Sequence, residues 1–350
     1  MSGFQKRINR KGGPVQTDIA ADNRNTSRLV PPVADEILLI LAPPRSFSWT
    51  VCAMLGQHPQ MYGLPEMHLF GAKTMEEWWG MCSTAKFAMS HGTLRAVAEL
   101  CFGAQNEETI SLAAGWLRRR AHFTTGMILE VLAEKVSPRI LVDKSPNIVY
   151  RVQSMEAAHH MFPRARFLHL VRHPLGHGRS VMEAVNTLGS VGPVPDSHWL
   201  RHLAAYPHLF EGESKQPDAD PDLDPQRGWY ALNMHVCDFL RTVPESQQMR
   251  MRAEDLLTQP DETLRRIAGW MNLRADDDAI EQMKQPEHSP YACPGPSNAR
   301  FGNDWRFLKS PSLESDMAGE LNLAGPLDWC PDGRGFAPEV VELAHQFGYQ

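Results

Sequence analysis

The segment Ile37-Leu-Leu-Ile-Leu-Ala-Pro-Pro-Arg-Ser-Phe-Ser-Trp-Thr50 constrains this chain more than any other. Residues 37–42 predict a short apolar strand, and Pro43-Pro44 forces a turn straight after it. The Arg/Ser/Thr-rich stretch that follows predicts the start of a helix running to about Leu55. A helix start is a natural anion site, because its first backbone N–H groups have no partner within the helix and the dipole places partial positive charge there. Arg45 adds a full charge, and Ser46, Ser48 and Thr50 add hydroxyl donors. The loop therefore suits a phosphate-like group, although the usual nucleotide pattern G-x-x-x-x-G-K-[ST] is absent.

The rest of the chain alternates strands with helices. Further strands are expected at 139–142, 166–171 and 248–252, and 166–171 is rich in apolar residues on both faces, as buried parallel strands are. Helices are expected at 74–81, 93–104 and 109–135, where Ala, Leu, Met and Trp recur at helical spacing. No strand candidate interrupts that stretch, so 74–135 reads as a helical cap over one end of a sheet. More helices follow at 147–161, stopped by Pro163, then at 175–188, 228–242, 260–271 and 338–346. Residues 1–35 lack periodicity and read as a flexible arm, and the Gly, Pro and Asp clusters of 189–226 as a long lid-like insertion. The expected fold is α/β: a central parallel sheet flanked by helices, in one domain over 36–350, with a helical cap and long loop insertions.

Composition removes several function classes. An apolar fraction of 42% and a charged fraction of 22% are those of an ordinary soluble globular protein. A net charge of −6, with no Lys/Arg stripe interleaved with aromatics, argues against nucleic-acid binding. The six cysteines form no C-x-x-C pair, so reduced thiols are expected rather than a zinc knuckle or disulfide framework. His159-His160 has no third ligand in pattern, and no metal is expected. No secretory apolar region follows Met1, and 37–42 is too short to span a bilayer, so the cytoplasm is the expected location.

In open parallel sheets, ligands bind beyond the carboxyl ends of the strands. Three such ends carry charge or hydroxyls: the Arg45 loop, Val142-Asp143-Lys144-Ser145-Pro146, and Leu170-Val171-Arg172-His173-Pro174 with Arg179 and Ser180 behind it. Arg172 at a strand exit and Ser180 two turns into the next helix suit a second anion. Two anion sites and a lysine on one sheet edge imply a ligand with two separate phosphate-type groups.

At these residues the chain resembles the sulfotransferases, of bacterial type, that use 3′-phosphoadenosine 5′-phosphosulfate (PAPS). Pro44-Arg45-Ser46-Phe47-Ser48-Trp49-Thr50 is similar to the family's 5′-phosphosulfate loop, P-[KR]-S-G-T-T. Arg172 and Ser180, eight positions apart, match its 3′-phosphate motif. Gly63-Leu-Pro-Glu-Met-His-Leu-Phe70, Asp143-Lys-Ser-Pro146 and Glu254-Asp255-Leu256-Leu257 recur in the family's order, and Arg300-Phe-Gly302-Asn-Asp-Trp305 echoes its R-K-G…G-D-W segment. The chain departs from the pattern at four places. Phe47 stands for the loop glycine, Ser48-Trp49 for Thr-Thr, His173 for an aspartate and Ala253 for a tyrosine.

The resemblance implies a P-loop-like fold and sulfuryl transfer from PAPS to a hydroxyl, or less readily an amine, of a small molecule, leaving 3′,5′-ADP. The transfer would be in line and metal-independent. It places Arg45, Ser46, Phe47, Ser48, Trp49 and Thr50 on the 5′-phosphosulfate, and Arg172, Ser180, Arg300 and Gly302 on the 3′-phosphate side. Charge builds on the leaving oxygen, so Arg45 and Lys144 are the expected stabilisers. Glu66 is the expected base, with His68 as its rival. If 65–69 is extended, Glu66 and His68 share one face; if it is helical, they point nearly opposite ways. Two other readings stay open: a non-catalytic nucleotide-binding protein of the same fold, and a P-loop kinase or NTPase, which lacks the Walker lysine pattern here. The acceptor is not legible, no membrane span is expected, and a homodimer is admitted.

Overall fold

A computed structural model describes residues 36–84, 89–190, 224–311 and 321–350. The expected N-terminal arm lies outside the described residues, as does most of the expected insertion; Gly189 and Ser190 close a helix on one side of it, and Asp224 caps the next.

Five parallel strands form the sheet in the order β2-β3-β1-β4-β5. They are β1 (Ile37–Leu41), β2 (Met61–Gly63), β3 (Ile140–Asp143), β4 (Arg166–Val171) and β5 (Gln248–Arg252). β1 is central, pairing Leu39 with Asp143 of β3 on one side and Leu41 with His169 of β4 on the other. The chain fills one half of the sheet after β1 and then crosses to the other half at β4. This makes a topological switch point at the carboxyl ends of β1 and its neighbours.

β1 to β4 bury both faces, whereas the edge strand β5 leaves Arg250 exposed, and the sheet is the middle of three layers. Ile37, Leu39 and Leu41 face one core, which is filled by α2 (Met75–Thr84), α3 (Met89–Phe102), α4 (Glu107–Arg118), α5 (Thr125–Val136), α6 (Val152–Met161), part of α7 (Pro174–Ser190) and α8 (Pro225–Leu240). Leu38 and Ile40 face the other, with α1 (Ser48–Gly56), α9 (Ala253–Thr258), α10 (Pro260–Trp270) and α11 (Asp277–Met283). Two helices remain, α12 (Trp305–Lys309) and α13 (Pro338–Gln346), the latter packed against Trp229 of α8. No helix among the described residues is long and apolar enough to cross a membrane.

The differences from the sequence reading have local causes. The helix expected at 109–135 is two helices. The hydroxyl of Thr124 accepts the Met127 N–H at 3.2 Å and starts α5 anew, while Thr124 also bridges Thr74. Asn106 and Thr109 form a reciprocal cap, so α4 begins before the predicted 109. The helix expected from 147 is a 3₁₀ turn, Pro146–Tyr150, then an extended Arg151 (φ −141°), then α6. β2 was not anticipated. It is only three residues long, and glycine lets it touch α1, since a Cβ on Gly63 would sit 2.6 Å from the Cys52 carbonyl oxygen.

Candidate active site

The loop between β1 and α1 has an unusual backbone that its residues do not favour. Arg45 (φ 68°) and Phe47 (φ 58°) are both left-handed, so Phe47 accepts the conformation a glycine would adopt freely. Each costs about 1–2 kcal/mol, and surrounding bonds hold them. Arg172 Nη1 donates to the Arg45 carbonyl at 2.7 Å, His177 Nε2 donates to the Pro44 carbonyl at 3.0 Å, and the Arg172 guanidinium lies 4.4 Å from the centre of the Phe47 ring. The N-terminus of α1 that follows has no side-chain cap and no acidic residue in its first turn. Ser46 is buried, and its Oγ has no hydrogen-bond partner among the described residues. A buried hydroxyl left unsatisfied beside an uncapped helix start fits an anion as its natural partner.

Arg45 ties this loop to the next strand exit. Its Nε donates to Ser180 Oγ at 3.1 Å, and its Nη1 is ion-paired to Asp304. The expected two anion positions, Arg45 on one side and Arg172 with Ser180 on the other, are therefore contiguous. His173, where the resembled motif has an aspartate, caps the next helix: its Nδ1 accepts the Leu175 N–H at 3.1 Å at the start of α7. Burial, then Arg179 and Arg172, lower its pKa to about 4, which keeps that nitrogen an acceptor at neutral pH. Glu254 accepts the His173 N–H at 2.8 Å and the Tyr349 hydroxyl at 2.7 Å.

The second half of the site comes from β2 and β3. Lys144, only 3% exposed, places Nζ 2.5 Å from Glu66 Oε1 and 4.3 Å from the centre of the Trp49 ring. Trp49 stacks on Phe307 with ring centres 6.2 Å apart. Tryptophan in place of threonine thus gives the lysine an aromatic floor. Glu66 Oε2 lies 3.3 Å from His68 Nε2, so the two expected base candidates are neighbours. His68 Nδ1 is buried with no partner among the described residues, whereas the Glu66 side chain keeps 19% exposure. Burial pulls the Glu66 carboxyl upward, but the Lys144 charge and the bond and charge of His68 outweigh it and carry the pKa down to about 2.

Ser145 fixes this turn. Its Oγ accepts the N–H groups of Met67 and His68, each at 3.0 Å, and donates to Asp143 Oδ1 at 3.2 Å. One hydroxyl has two lone pairs and one proton, so this set is complete. Taking two successive N–H groups holds His68 at φ 53°. Asp143 is fully buried, and burial pushes its pKa up to about 7 against the pull of Ser145, His68 and Lys144.

The 300–304 segment divides between the two halves. Arg300 is exposed, and its carbonyl accepts the Gly295 N–H at 2.9 Å. Gly302 (φ 105°) lies at the base side, where its carbonyl accepts the Glu66 N–H at 2.9 Å; a Cβ on it would come 2.7 Å from the Gly92 Cα. Sequence reasoning missed Asp304. It sits inside the quoted R-F-G-N-D-W stretch, but an aspartate there carries no signal that it will meet Arg45 from 259 residues away. Among the described residues no group of three or more His, Cys, Asp or Glu is placed to hold a metal ion.

Residues 38–277, more than half of the chain, match the model of the sulfotransferase family. The chain belongs to that family. No curated protein matches its sequence. Among solved structures, this sulfotransferase is similar to the sulfotransferase domain of the curacin biosynthetic pathway. The identity is 21% and the TM-score 0.65, over 90% of this chain and 98% of that one. It is also similar to the sulfotransferase domain of the Synechococcus PCC 7002 olefin synthase, at 22% identity and TM-score 0.64, over 90% of this chain and 95% of that one. At such identities the likeness concerns the fold, a P-loop-like sheet whose carboxyl edge carries the residues described above.

Proposed function

We propose that this sulfotransferase transfers the sulfuryl group of PAPS to a hydroxyl of a small-molecule acceptor. The observation that carries the reading is the Lys144–Glu66 pair standing beside an uncapped helix start with a buried, unsatisfied Ser46 hydroxyl. Ser46, Arg45 and the first-turn amides of α1 would hold the 5′-phosphosulfate, and Arg172 with Ser180 the 3′-phosphate. When bound, PAPS supplies the sulfuryl group and a phosphate leaving group.

The protein's part is electrostatic and acid–base. Lys144 holds a proton at Nζ, buried on Trp49, where low dielectric strengthens its pull on developing negative charge. The same ammonium keeps Glu66 ionised. With PAPS bound, Lys144 would stabilise negative charge on the departing phosphate, and Glu66, ionised beside it, would take the proton of the acceptor hydroxyl. His68 steadies the second carboxylate oxygen, and Ser145 holds both residues in register with Lys144.

Two measurements test this. In EDTA, 3′,5′-ADP should raise the melting temperature and ATP should not. Conversion of PAPS to 3′,5′-ADP in the presence of a panel of hydroxyl acceptors should fall by about 10²–10³-fold in Lys144→Met, while 3′,5′-ADP binding is retained. Stabilisation by Mg-ATP alone would favour the kinase or NTPase reading, and nucleotide binding without turnover would favour the non-catalytic one.

A further inference from the structure

Arg45 is the cation at the mouth of the anion loop, yet it does not present its full charge. Its Nη1 is ion-paired to Asp304, and its Nε is committed to Ser180 Oγ at 3.1 Å. Both members of the ion pair are mostly shielded from water, with side-chain exposures of 13% and 20%. A carboxylate so placed cancels much of the field that Arg45 would project onto an incoming anion, and it lies on the same guanidinium that the anion must engage.

Asp304 is also held in place from its backbone. Two residues earlier, Gly302 is pinned between the Glu66 amide, bonded at 2.9 Å, and Gly92 of α3, against which even a Cβ would not fit. Asn303 Nδ2 donates to the Tyr291 carbonyl at 2.6 Å, and the Asp304 carbonyl accepts the Leu308 N–H at 3.0 Å. The carboxylate can turn about its own side-chain bonds, but its Cα cannot leave the loop without disturbing the Glu66 turn.

We propose that Asp304 is a residue of the sulfuryl-donor site that masks Arg45, so that donor affinity is set by competition between this carboxylate and the donor's 5′ anion for one guanidinium. The inference rests on the reading that Arg45 binds the 5′ end of PAPS. Its consequence is selectivity. A weakly charged anion does not displace a fixed carboxylate, whereas a nucleotide also anchored at Arg172 does. The carboxylate yields by turning about its own side-chain bonds, while the backbone that precedes it stays bonded to Glu66.

The test is isothermal titration of 3′,5′-ADP, whose 5′-phosphate reports on Arg45, into the full chain in EDTA. Asp304→Asn keeps an oxygen that can accept from Arg45 but removes the charge; Asp304→Ser removes the charge with a shorter side chain should the amide disturb folding. Both should bind 3′,5′-ADP about three- to tenfold more tightly than the parent, the range of a partly shielded charge pair. The gain should vanish when Arg45→Ala is combined with either, and it should shrink at high salt. Equal or weaker binding by both charge-free variants overturns the proposal and leaves Asp304 as a positioning partner of Arg45. Failure of the parent to bind 3′,5′-ADP at all would instead overturn the donor reading on which the proposal rests.

Discussion

Replacing Lys144 by methionine removes the buried ammonium that lies over Trp49 and leaves an unbranched apolar side chain in its place, and its effect on stability should depend on pH in a defined way. In the fold the Glu66 carboxyl is held from 4.5 down to about 2; burial acts upward, and Lys144, with His68, overrides it. A carboxyl depressed in the folded state stabilises the protein at every pH above its unfolded value, and this contribution is lost as the pH falls through the folded value. For Glu66 the contribution is fully present above about pH 5 and disappears toward pH 2. Its size is about 3 kcal/mol, in line with the cost of removing one partner from a buried pair. Without the ammonium, burial is opposed by His68 alone and the carboxyl moves back up toward its ordinary value. Lys144→Met should therefore be less stable than the parent by up to about 3 kcal/mol from pH 7 to 5, the gap narrowing to roughly half by pH 3. Urea denaturation of both proteins across that range, followed by tryptophan fluorescence, measures it. A stability difference that does not change with pH, or none at pH 7, would refute the electrostatic account of the pair.

Three other outcomes follow from the same geometry. In the transfer reaction Lys144→Met should lower kcat by about 10²–10³-fold, the loss typical of one preorganised oxyanion donor, read from 3′,5′-ADP release. At position 47 the left-handed backbone predicts that Phe47→Gly is more stable than Phe47→Ala by about 1 kcal/mol, since both lose the ring but only glycine escapes the penalty; thermal melts of the two compare them directly. Ser145→Ala leaves the Met67 and His68 N–H groups without their acceptor and should cost about 2 kcal/mol of stability. It should lower kcat while leaving 3′,5′-ADP affinity unchanged, which titration and turnover together establish.

The sheet was legible because β1 and β4 are rich in apolar residues on both faces and β5 alternates polar with apolar residues, as an edge strand does. Residues 166–171 and 248–252 emerge as β4 and β5 with the predicted bounds, and β1 ends one residue short of the predicted 42. β2 was not legible, because three residues hold no period and what seats them is glycine-to-helix contact with α1. The break between α4 and α5 was hidden because Thr124 reads as an ordinary helical position until Thr74, fifty residues away, pairs with it. In the site, chemistry at strand exits pointed to Arg45, Lys144 and Arg172, since any residue that follows a parallel strand must reach the same edge. The pairing of Glu66 with Lys144 and His68 depends on the non-helical turn that Ser145 imposes, which spacing alone left open. Asp304 was illegible for a plainer reason: it enters the site from a loop-rich tail whose path no local pattern encodes.

The central claim is that one sheet edge holds a two-ended nucleotide with its reactive end toward Lys144 and Glu66. The most direct measurement is a crystal structure of the full chain with 3′,5′-ADP. The account predicts the 5′-phosphate on Ser46 and the amides at the start of α1, the 3′-phosphate on Arg172 and Ser180, and a cleft beside Glu66 left open for the acceptor. A nucleotide bound elsewhere, or one whose 5′-phosphate points away from Lys144, would contradict it.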